Sequence, residues 1–406
     1  MSKKLRLPLL AATLLYSALP AWSAELPEGN GKELVGALCT SCHAVNWGGG
    51  YTAEGWRTVI RMMINHGVAL SPDQVAMVTG YLTKNFPEKP KPAGVVIDGP
   101  AKVSMKTWPV PTPGSRPHDP LATRDGSIWY SGQMAGVLGR LDPKTGSFKE
   151  FPLKTPHAGP HGLTEDKDGN IWYTANAVGK IGKLDPKTGG VTEYPMPDPN
   201  VIDVHTLLFD RSGILWFTSQ RGNRIGRLDP KTGEIKLLTP PTPDSRPYGM
   251  AFDSKGTLFV VLFGTNKIAS VDPKTLAIRE FTLPDPASRP RRLTITSDDI
   301  IWYADFSRGF LGRLDAATGK VTERQSPSGP RSQPYGMSTI NDVIWYSESG
   351  TTPNTVVRFD PKTEKFQSWV IPGGGNIVRN TSVTRDGNFV LANSLVNAVT
   401  LVTIPK

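Results

Sequence analysis

The two cysteines of the chain both lie in the segment Cys39-Thr40-Ser41-Cys42-His43. The spacing Cys-x-x-Cys-His is typical of c-type haem attachment, in which two thiols add to the haem vinyl groups and the histidine binds iron. A structural disulfide and a thioredoxin-like redox pair are the alternatives at this spacing, but no strand–helix–strand pattern surrounds the motif. The sequence therefore predicts one covalent haem c, held by Cys39 and Cys42, with His43 on the iron.

The second iron ligand is predicted from the helix that follows the motif. Met63 lies with Trp56 on the apolar stripe of a helix predicted over residues 54–66. Met63 is therefore the predicted sixth ligand, whereas Met62 points about 100° away on the same helix. His66 would instead give two histidine ligands and a lower potential. A purely packing role for Met63 stays open, because methionine often fills gaps in cores.

Seven polar side chains at equivalent positions of an internal repeat form a second candidate site. They are His118, His161, His205, Tyr248, Arg291, Tyr335 and Arg379. We expect them to form one ring at the mouth of a channel, as candidate catalytic residues for a small polar or anionic ligand. Nearby like charges should hold the histidines neutral and ready to accept protons. Hydrogen bonding between neighbouring repeats is the alternative role, and three equivalent histidines are weak grounds for a metal site.

The repeat that must position this ring has a period of 43–45 residues. One large residue marks each copy on a β-rich run such as IWYT, which is followed by a second strand and the turn DPKTG. The markers are Trp129, Trp172, Trp216, Phe259, Trp302, Trp345 and Val390. A period of about 40–45 residues with four strands per unit is typical of β-propellers. The sequence therefore predicts an all-β, seven-bladed propeller over residues 101–406.

Two segments lie between the predicted helices and the first repeat, and the sequence predicts a structure for each. The seventh repeat ends at Ile404 without a fourth strand, and residues 103–113 resemble the closing strand of the other repeats. We expect that segment to close blade 7, which leaves no exposed sheet edge. The Lys-Pro alternation of residues 87–100 predicts an extended, semi-rigid linker.

Residues 25–86 contain the Cys-x-x-Cys-His motif and three predicted short helices. The third helix opens with Ser71-Pro72-Asp73-Gln74, a capping box with proline at the first helical position. This segment resembles a small class I cytochrome c domain, in which a methionine thioether usually completes the iron coordination. The resemblance implies a small all-α domain at the N-terminus.

The propeller resembles the streptogramin lyase (virginiamycin B lyase) family of seven-bladed propellers, through its recurrent RPHG/RPYG, DGNIWYT and IGKLDPKTG motifs. The resemblance implies an inner-strand histidine as the base of a Mg²⁺-assisted elimination. It also implies a glutamate two residues before that histidine and another about fourteen after it. Here His205 has Asp203 before it but Ser219 after it, and Glu348 accompanies Tyr335 rather than a histidine. No blade holds the full set, so the resemblance predicts the fold better than the activity.

Residues 1–24 predict the compartment. Lys3, Lys4 and Arg6 precede an apolar run that ends in small residues, as in a secretory signal peptide, and the run is too short for a stable membrane span. We therefore expect a periplasmic protein without stable membrane insertion. Removal of these three cations would lower the net charge from +10 to +7. With no Lys/Arg cluster among aromatic residues, a nucleic-acid partner is not expected.

Two functions from different classes follow from these features. The first is an exported c-type haem protein for electron transfer or oxidoreduction, whose propeller binds a substrate or a redox partner protein. The alternative is a divergent streptogramin lyase-like (carbon–oxygen lyase) or ligand-binding propeller with the haem domain as an accessory module.

Overall fold

The computed structural model describes residues 26–39 and 50–405. The chain divides into two compact units, residues 1–45 and 46–406. In the first unit, helix α1 (Lys32–Cys39) buries Val35 and ends at the first cysteine of the motif. Cys42, His43 and the predicted signal peptide lie outside the described residues. Within the described ranges, no helix is long and apolar enough to cross a membrane.

The second unit opens with two packed helices, α2 (Ala53–Asn65) and α3 (Pro72–Asn85). Ser71 and Gln74 form the capping box that the sequence predicts at the start of α3. Trp56 of α2 is buried, and its indole Nε1 donates a hydrogen bond of 2.9 Å to the carbonyl just beyond α3. The indole therefore joins the two helices through both apolar burial and one hydrogen bond.

Residues 104–403 form seven four-stranded antiparallel sheets, which confirms the seven-bladed propeller. Blades 1 to 3 consist of β2 (Pro117–Ala122), β3 (Ile128–Gly132), β4 (Val137–Leu141), β5 (Phe148–Pro152); β6 (Pro160–Glu165), β7 (Ile171–Ala175), β8 (Lys180–Leu184), β9 (Val191–Pro195); and β10 (Val204–Phe209), β11 (Leu215–Ser219), β12 (Arg224–Leu228), β13 (Ile235–Leu238). Blades 4 and 5 consist of β14 (Pro247–Phe252), β15 (Leu258–Leu262), β16 (Lys267–Val271), β17 (Ile278–Thr282); and β18 (Pro290–Ile295), β19 (Ile301–Asp305), β20 (Phe310–Asp315), β21 (Lys320–Gln325). Blades 6 and 7 consist of β22 (Pro334–Ile340), β23 (Val343–Glu348), β24 (Thr355–Asp360), β25 (Lys365–Val370); and β26 (Val378–Val383), β27 (Phe389–Asn393), β28 (Ala398–Thr403) with β1 (Ser104–Pro109).

Blade 7 takes its outer strand from the N-terminal side of the propeller. β1 lies within the segment 103–113 from which the sequence predicts a closing strand, and it pairs antiparallel with β28. Trp108 of β1 lies opposite Val399 and is buried in the core between blades 7 and 1. This pairing joins the two ends of the ring of blades and leaves β28 without a free edge.

The predicted linker is extended and bound along blade 6. The backbone N–H of Val95 donates to Ser328 Oγ at 2.9 Å, and Ile97 forms an isolated antiparallel bridge with Ser368. The backbone of residues 95–97 therefore follows the outer part of blade 6 and is fixed to it by hydrogen bonds.

Candidate functional site

A β-bulge near the start of each inner strand positions the seven predicted ring residues. In blade 2, Pro160 pairs with Ala175 but Leu163 pairs with Tyr173, so the inner strand carries one extra residue. The same irregularity occurs in all seven blades. A bulge redirects a side chain relative to the regular pleat. Here it falls at the ring position of every blade.

The four ring residues of blades 1 to 4 contact one another in sequence. The ring centroids of His118 and His161 are 3.5 Å apart, those of His161 and His205 are 3.7 Å apart, and those of His205 and Tyr248 are 3.8 Å apart. None of these four residues is more than 3% exposed. The structure thus brings the three histidines together as one buried histidine stack, in which neighbouring ring planes are tilted by 42° and 51°.

Tyr335 and Arg291 extend this row of contacts between ring residues. The hydroxyl groups of Tyr248 and Tyr335 lie 2.5 Å apart. The guanidinium carbon of Arg291 lies 4.0 Å from the Tyr335 ring centroid and 4.3 Å from that of Phe306, which is cation–π geometry. Arg379 contributes through its charge, which lowers the pKa of His118.

A second layer of polar side chains lies directly behind the ring, and the sequence reasoning missed it. These residues follow the ring residue in blades 1, 3, 5 and 7, whereas blades 2, 4 and 6 have glycine there. The polar members are Asp119, Thr206, Arg292 and Asn380, and the glycines are Gly162, Gly249 and Gly336. The alternation is visible in the repeat alignment and was the signal available from the sequence.

Arg292 spans the channel from blade 5. Its Nη1 donates to Thr206 Oγ1 at 2.9 Å, and its Nη2 lies 3.6 Å from Asp119 Oδ1. A Cβ atom at Gly249 would lie 3.0 Å from the Arg292 Cα and 3.2 Å from its Cδ. Glycine in blade 4 therefore leaves the space through which this arginine passes.

Asp119 connects the second layer to the ring. Its Oδ1 lies 2.8 Å from His118 Nδ1, and its Oδ2 accepts a hydrogen bond of 2.7 Å from Asn380 Nδ2. A carboxylate accepts hydrogen bonds, so this contact selects the His118 tautomer with its proton on Nδ1. Nε2 of His118 then keeps its lone pair and is available to take a proton.

The histidines are held neutral, as expected, but mainly for a different reason. Burial lowers the pKa of His118, His161 and His205 well below the ordinary value of 6.5. The charges of nearby arginines lower the pKa of each histidine further, and for His118 the largest of these effects come from Arg379 and Arg116. All three imidazoles are therefore neutral at neutral pH.

The arginines around the stack outnumber their acidic partners. Arg292 faces Asp119, but Arg116, Arg291 and Arg379 form no ion pair with any described carboxylate. The Nε atoms of all four are buried without a hydrogen-bond acceptor in the described part of the chain. Burial and the charge of Arg379 lower the pKa of Arg116 to about 9. The site is therefore strongly electropositive.

The Mg²⁺ ligand set implied by the family resemblance is not assembled. Glu348 is fully buried, and its carboxylate accepts hydrogen bonds from Ser326 and Ser328 on the loop between blades 5 and 6 and from Thr355 in blade 6. Tyr335, the ring residue of that blade, hydrogen-bonds to a tyrosine instead of sharing a metal with Glu348. These carboxylate oxygens are already used, so the site lacks the hard anionic cage that Mg²⁺ needs.

One group of described residues has metal-ligand chemistry, namely His118, Asp119 and His161, whose candidate ligand atoms lie within 4.8 Å of one another. Asp119 is also the carboxylate that faces Arg292. A cation at this point would have to compete with the guanidinium for the same oxygen.

Met62, Met63 and His66, the residues considered for the sixth iron ligand, lie on α2 or directly after it. Met62 is 4% exposed and its backbone lies against the propeller, whereas Met63 is only half-buried. His66 stacks on His157 of the propeller, with ring centroids 5.1 Å apart. Cys39 is half-buried, and burial raises the pKa of its thiol.

The fold and the site define a seven-bladed propeller with a histidine- and arginine-lined channel. The model of the virginiamycin B lyase family matches residues 93–352, well over half of the chain, and the chain belongs to that family. No curated protein matches it.

Three solved structures show the same fold. A streptogramin B lyase is 27% identical and aligns over 75% of this chain and 98% of its own, with a TM-score of 0.68. Virginiamycin B lyase from Staphylococcus aureus is 25% identical over 74% and 99% of the two chains, also with a TM-score of 0.68. A catalytically inactive variant of the S. aureus enzyme with quinupristin, 24% identical over the same shares with the same TM-score, supports the fold alone.

Proposed function

We propose that the propeller is a divergent carbon–oxygen lyase in which His118 accepts a proton from a ligand bound in the channel. The observation that carries this proposal is the contact of 2.8 Å between His118 Nδ1 and Asp119 Oδ1. A buried carboxylate that fixes the tautomer of a neutral imidazole is the arrangement by which histidine becomes an oriented general base. Membership of a lyase family supports elimination as the reaction class.

The proposed step needs only groups that the channel provides. His118 Nε2 takes a proton from a carbon beside an electron-withdrawing group of the ligand. The electron pair of that C–H bond becomes a C=C bond, and the adjacent C–O bond breaks with its electron pair leaving on oxygen. Asp119 stabilises the imidazolium that forms, and the surrounding arginines favour the developing negative charge.

Proton abstraction can be measured before the natural substrate is known. The full chain is incubated in D₂O with a panel of small lactones, esters and 2- or 3-substituted carboxylic acids, and NMR follows deuterium exchange and alkene formation. We expect at least one compound to react with the wild type and not with His118→Ala. Arg211→Gln, an exposed substitution on the loop between β10 and β11, should react like the wild type. Equal reaction by His118→Ala would overturn the proposal.

A second candidate function rests on the Cys-x-x-Cys-His motif. We propose that Cys39 and Cys42 attach one haem c, that His43 and Met63 bind its iron, and that the protein is periplasmic and exchanges electrons with a redox partner protein. A bound haem would supply one-electron transfer. Met63 is half-buried, whereas the His66 ring is stacked on His157, and these two observations support Met63 rather than His66 as the ligand.

Haem attachment has a direct test. Wild-type protein, expressed with its predicted signal peptide in a host that attaches haem in the periplasm, should keep peroxidase staining on a denaturing gel. Cys39→Ala/Cys42→Ala protein should lose it. Staining of the double variant equal to that of the wild type would exclude covalent attachment at these cysteines.

A further inference from the structure

We propose that the channel site binds a carboxylate group, and that Arg116 and Arg379 are the residues that hold it. This inference rests on the proposed function of the channel as a ligand site and names the class of ligand. The expected ligand is a small free organic acid.

The described residues of the channel carry an excess of positive charge, which an anion would neutralise. Four arginines, Arg116, Arg291, Arg292 and Arg379, surround the histidine stack, and Asp119 is the one carboxylate that forms an ion pair with any of them. Burying a charge without a partner is costly, and the neutral histidines cannot supply a negative charge. An anionic ligand would satisfy both the excess charge and the unpaired N–H groups.

All four arginines have an unpaired Nε–H group, but only two of them are otherwise held by strong contacts. Arg291 is enclosed by aromatic rings, with its guanidinium carbon 4.0 Å from the Tyr335 ring centroid, and Arg292 is bound to Thr206. Arg116 has one weak contact, from Nη1 to Met134 Sδ at 4.0 Å, and Arg379 has no acceptor among the described residues. A planar guanidinium group can form two parallel hydrogen bonds to a carboxylate, so Arg116 and Arg379 are suited to bind one.

The helix α2 limits the size of the ligand at this end of the channel. The ring residues follow the loops that lead into the inner strands, and α2 lies against those loops. Asn65 Nδ2 donates to Pro113 O at 3.0 Å, and a Cβ at Gly114 would lie 2.8 Å from the Arg61 side chain. The helix α2 therefore covers the loop that leads to Arg116, and we expect a small acid rather than a macrocycle.

Calorimetric titration of the full chain tests the inference with succinate as the probe and neutral succinamide as its matched control. We expect succinate, and not succinamide, to bind. Arg116→Gln and Arg379→Gln should each weaken binding about tenfold or more, because each removes a charge-assisted hydrogen-bond donor. Arg211→Gln, which keeps the channel intact, should bind like the wild type.

Binding of succinate by the wild type supports the inference. Lack of binding, equal binding of succinamide, a preference for inorganic phosphate, or unchanged affinity in both arginine variants would overturn it. Thermal melting of the variants shows that they are folded.

The outcomes also stand apart from those of the proposed lyase. Succinate binding without proton abstraction from any panel compound would support the carboxylate site and contradict the role of His118 as a base. Proton abstraction from neutral lactones or esters alone, with no binding of succinate, would support the role of His118 and contradict the carboxylate site.

Discussion

Arg292 Nη2 lies 3.6 Å from Asp119 Oδ1, and this contact crosses the channel from blade 5 to blade 1. Arg292 is 4% exposed and Asp119 is 2% exposed. Removing one partner of a buried ion pair leaves the other charge uncompensated, which typically costs about 3–5 kcal/mol. We expect Asp119→Asn to lower the free energy of unfolding by about that amount in urea titrations. Asp168→Asn, an exposed control, should change it little. Equal midpoints for Asp119→Asn and the wild type would show that the pair contributes nothing to stability.

The neutral histidine stack makes stability depend on pH. The pKa values of His118, His161 and His205 are lowered on folding, so between these lowered values and the ordinary value of 6.5 the unfolded chain binds more protons. The contribution to stability is therefore complete above pH 6.5 and is lost as the pH falls below it. Three such groups give a slope of up to about 4 kcal/mol per pH unit.

Urea unfolding at pH 7.5, 6.0 and 5.0 measures this slope. His161→Asn should flatten it by about one third, since one of the three groups is removed. Arg211→Gln, an exposed substitution on the loop between β10 and β11, serves as the control. A wild-type free energy that stays constant from pH 7.5 to 5.0 would contradict the buried neutral stack.

The sequence predicts the number of blades and the ring residues because the same spacing recurs in every repeat. A marker residue every 43–45 positions fixes the blade, and a constant offset from it identifies His118, His161 and the other ring members. The second layer was missed because it depends on contacts between blades that are distant in sequence. Arg292 reaches Asp119 only because blade 4 has Gly249 at the corresponding position. The residue pattern of a single repeat does not predict a contact between blade 5 and blade 1.

Blade closure predicts a large effect from a residue far from the repeats. Trp108 of β1 is 8% exposed and packs in the core shared by blades 7 and 1. We expect Trp108→Ala to lower the free energy of unfolding by about 3–5 kcal/mol, as for other large-to-small core substitutions. Lys102→Ala, an exposed position just before β1, should have little effect. If the two variants melt alike, β1 does not close the ring in solution.

Met63 can be distinguished from other methionines by optical spectroscopy. A methionine thioether on ferric haem gives a weak far-red charge-transfer band, and Met63→Leu should abolish it because leucine cannot coordinate. Met77→Leu, an exposed methionine on α3, should leave the band unchanged. A band that survives in Met63→Leu would move the ligand elsewhere. A wild type without the band, together with a low potential, would favour His66.

The channel also predicts how this protein differs from the streptogramin lyases that it resembles. Glu348 is occupied by Ser326, Ser328 and Thr355, and the ring residue of its blade is Tyr335 rather than a histidine. Mg²⁺ therefore lacks its carboxylate ligands there, so we expect no Mg²⁺-dependent opening of quinupristin by the full chain. Product formation is followed by mass spectrometry with and without added Mg²⁺, with a virginiamycin B lyase as the positive control. Robust turnover that requires Mg²⁺ would contradict this view of Glu348.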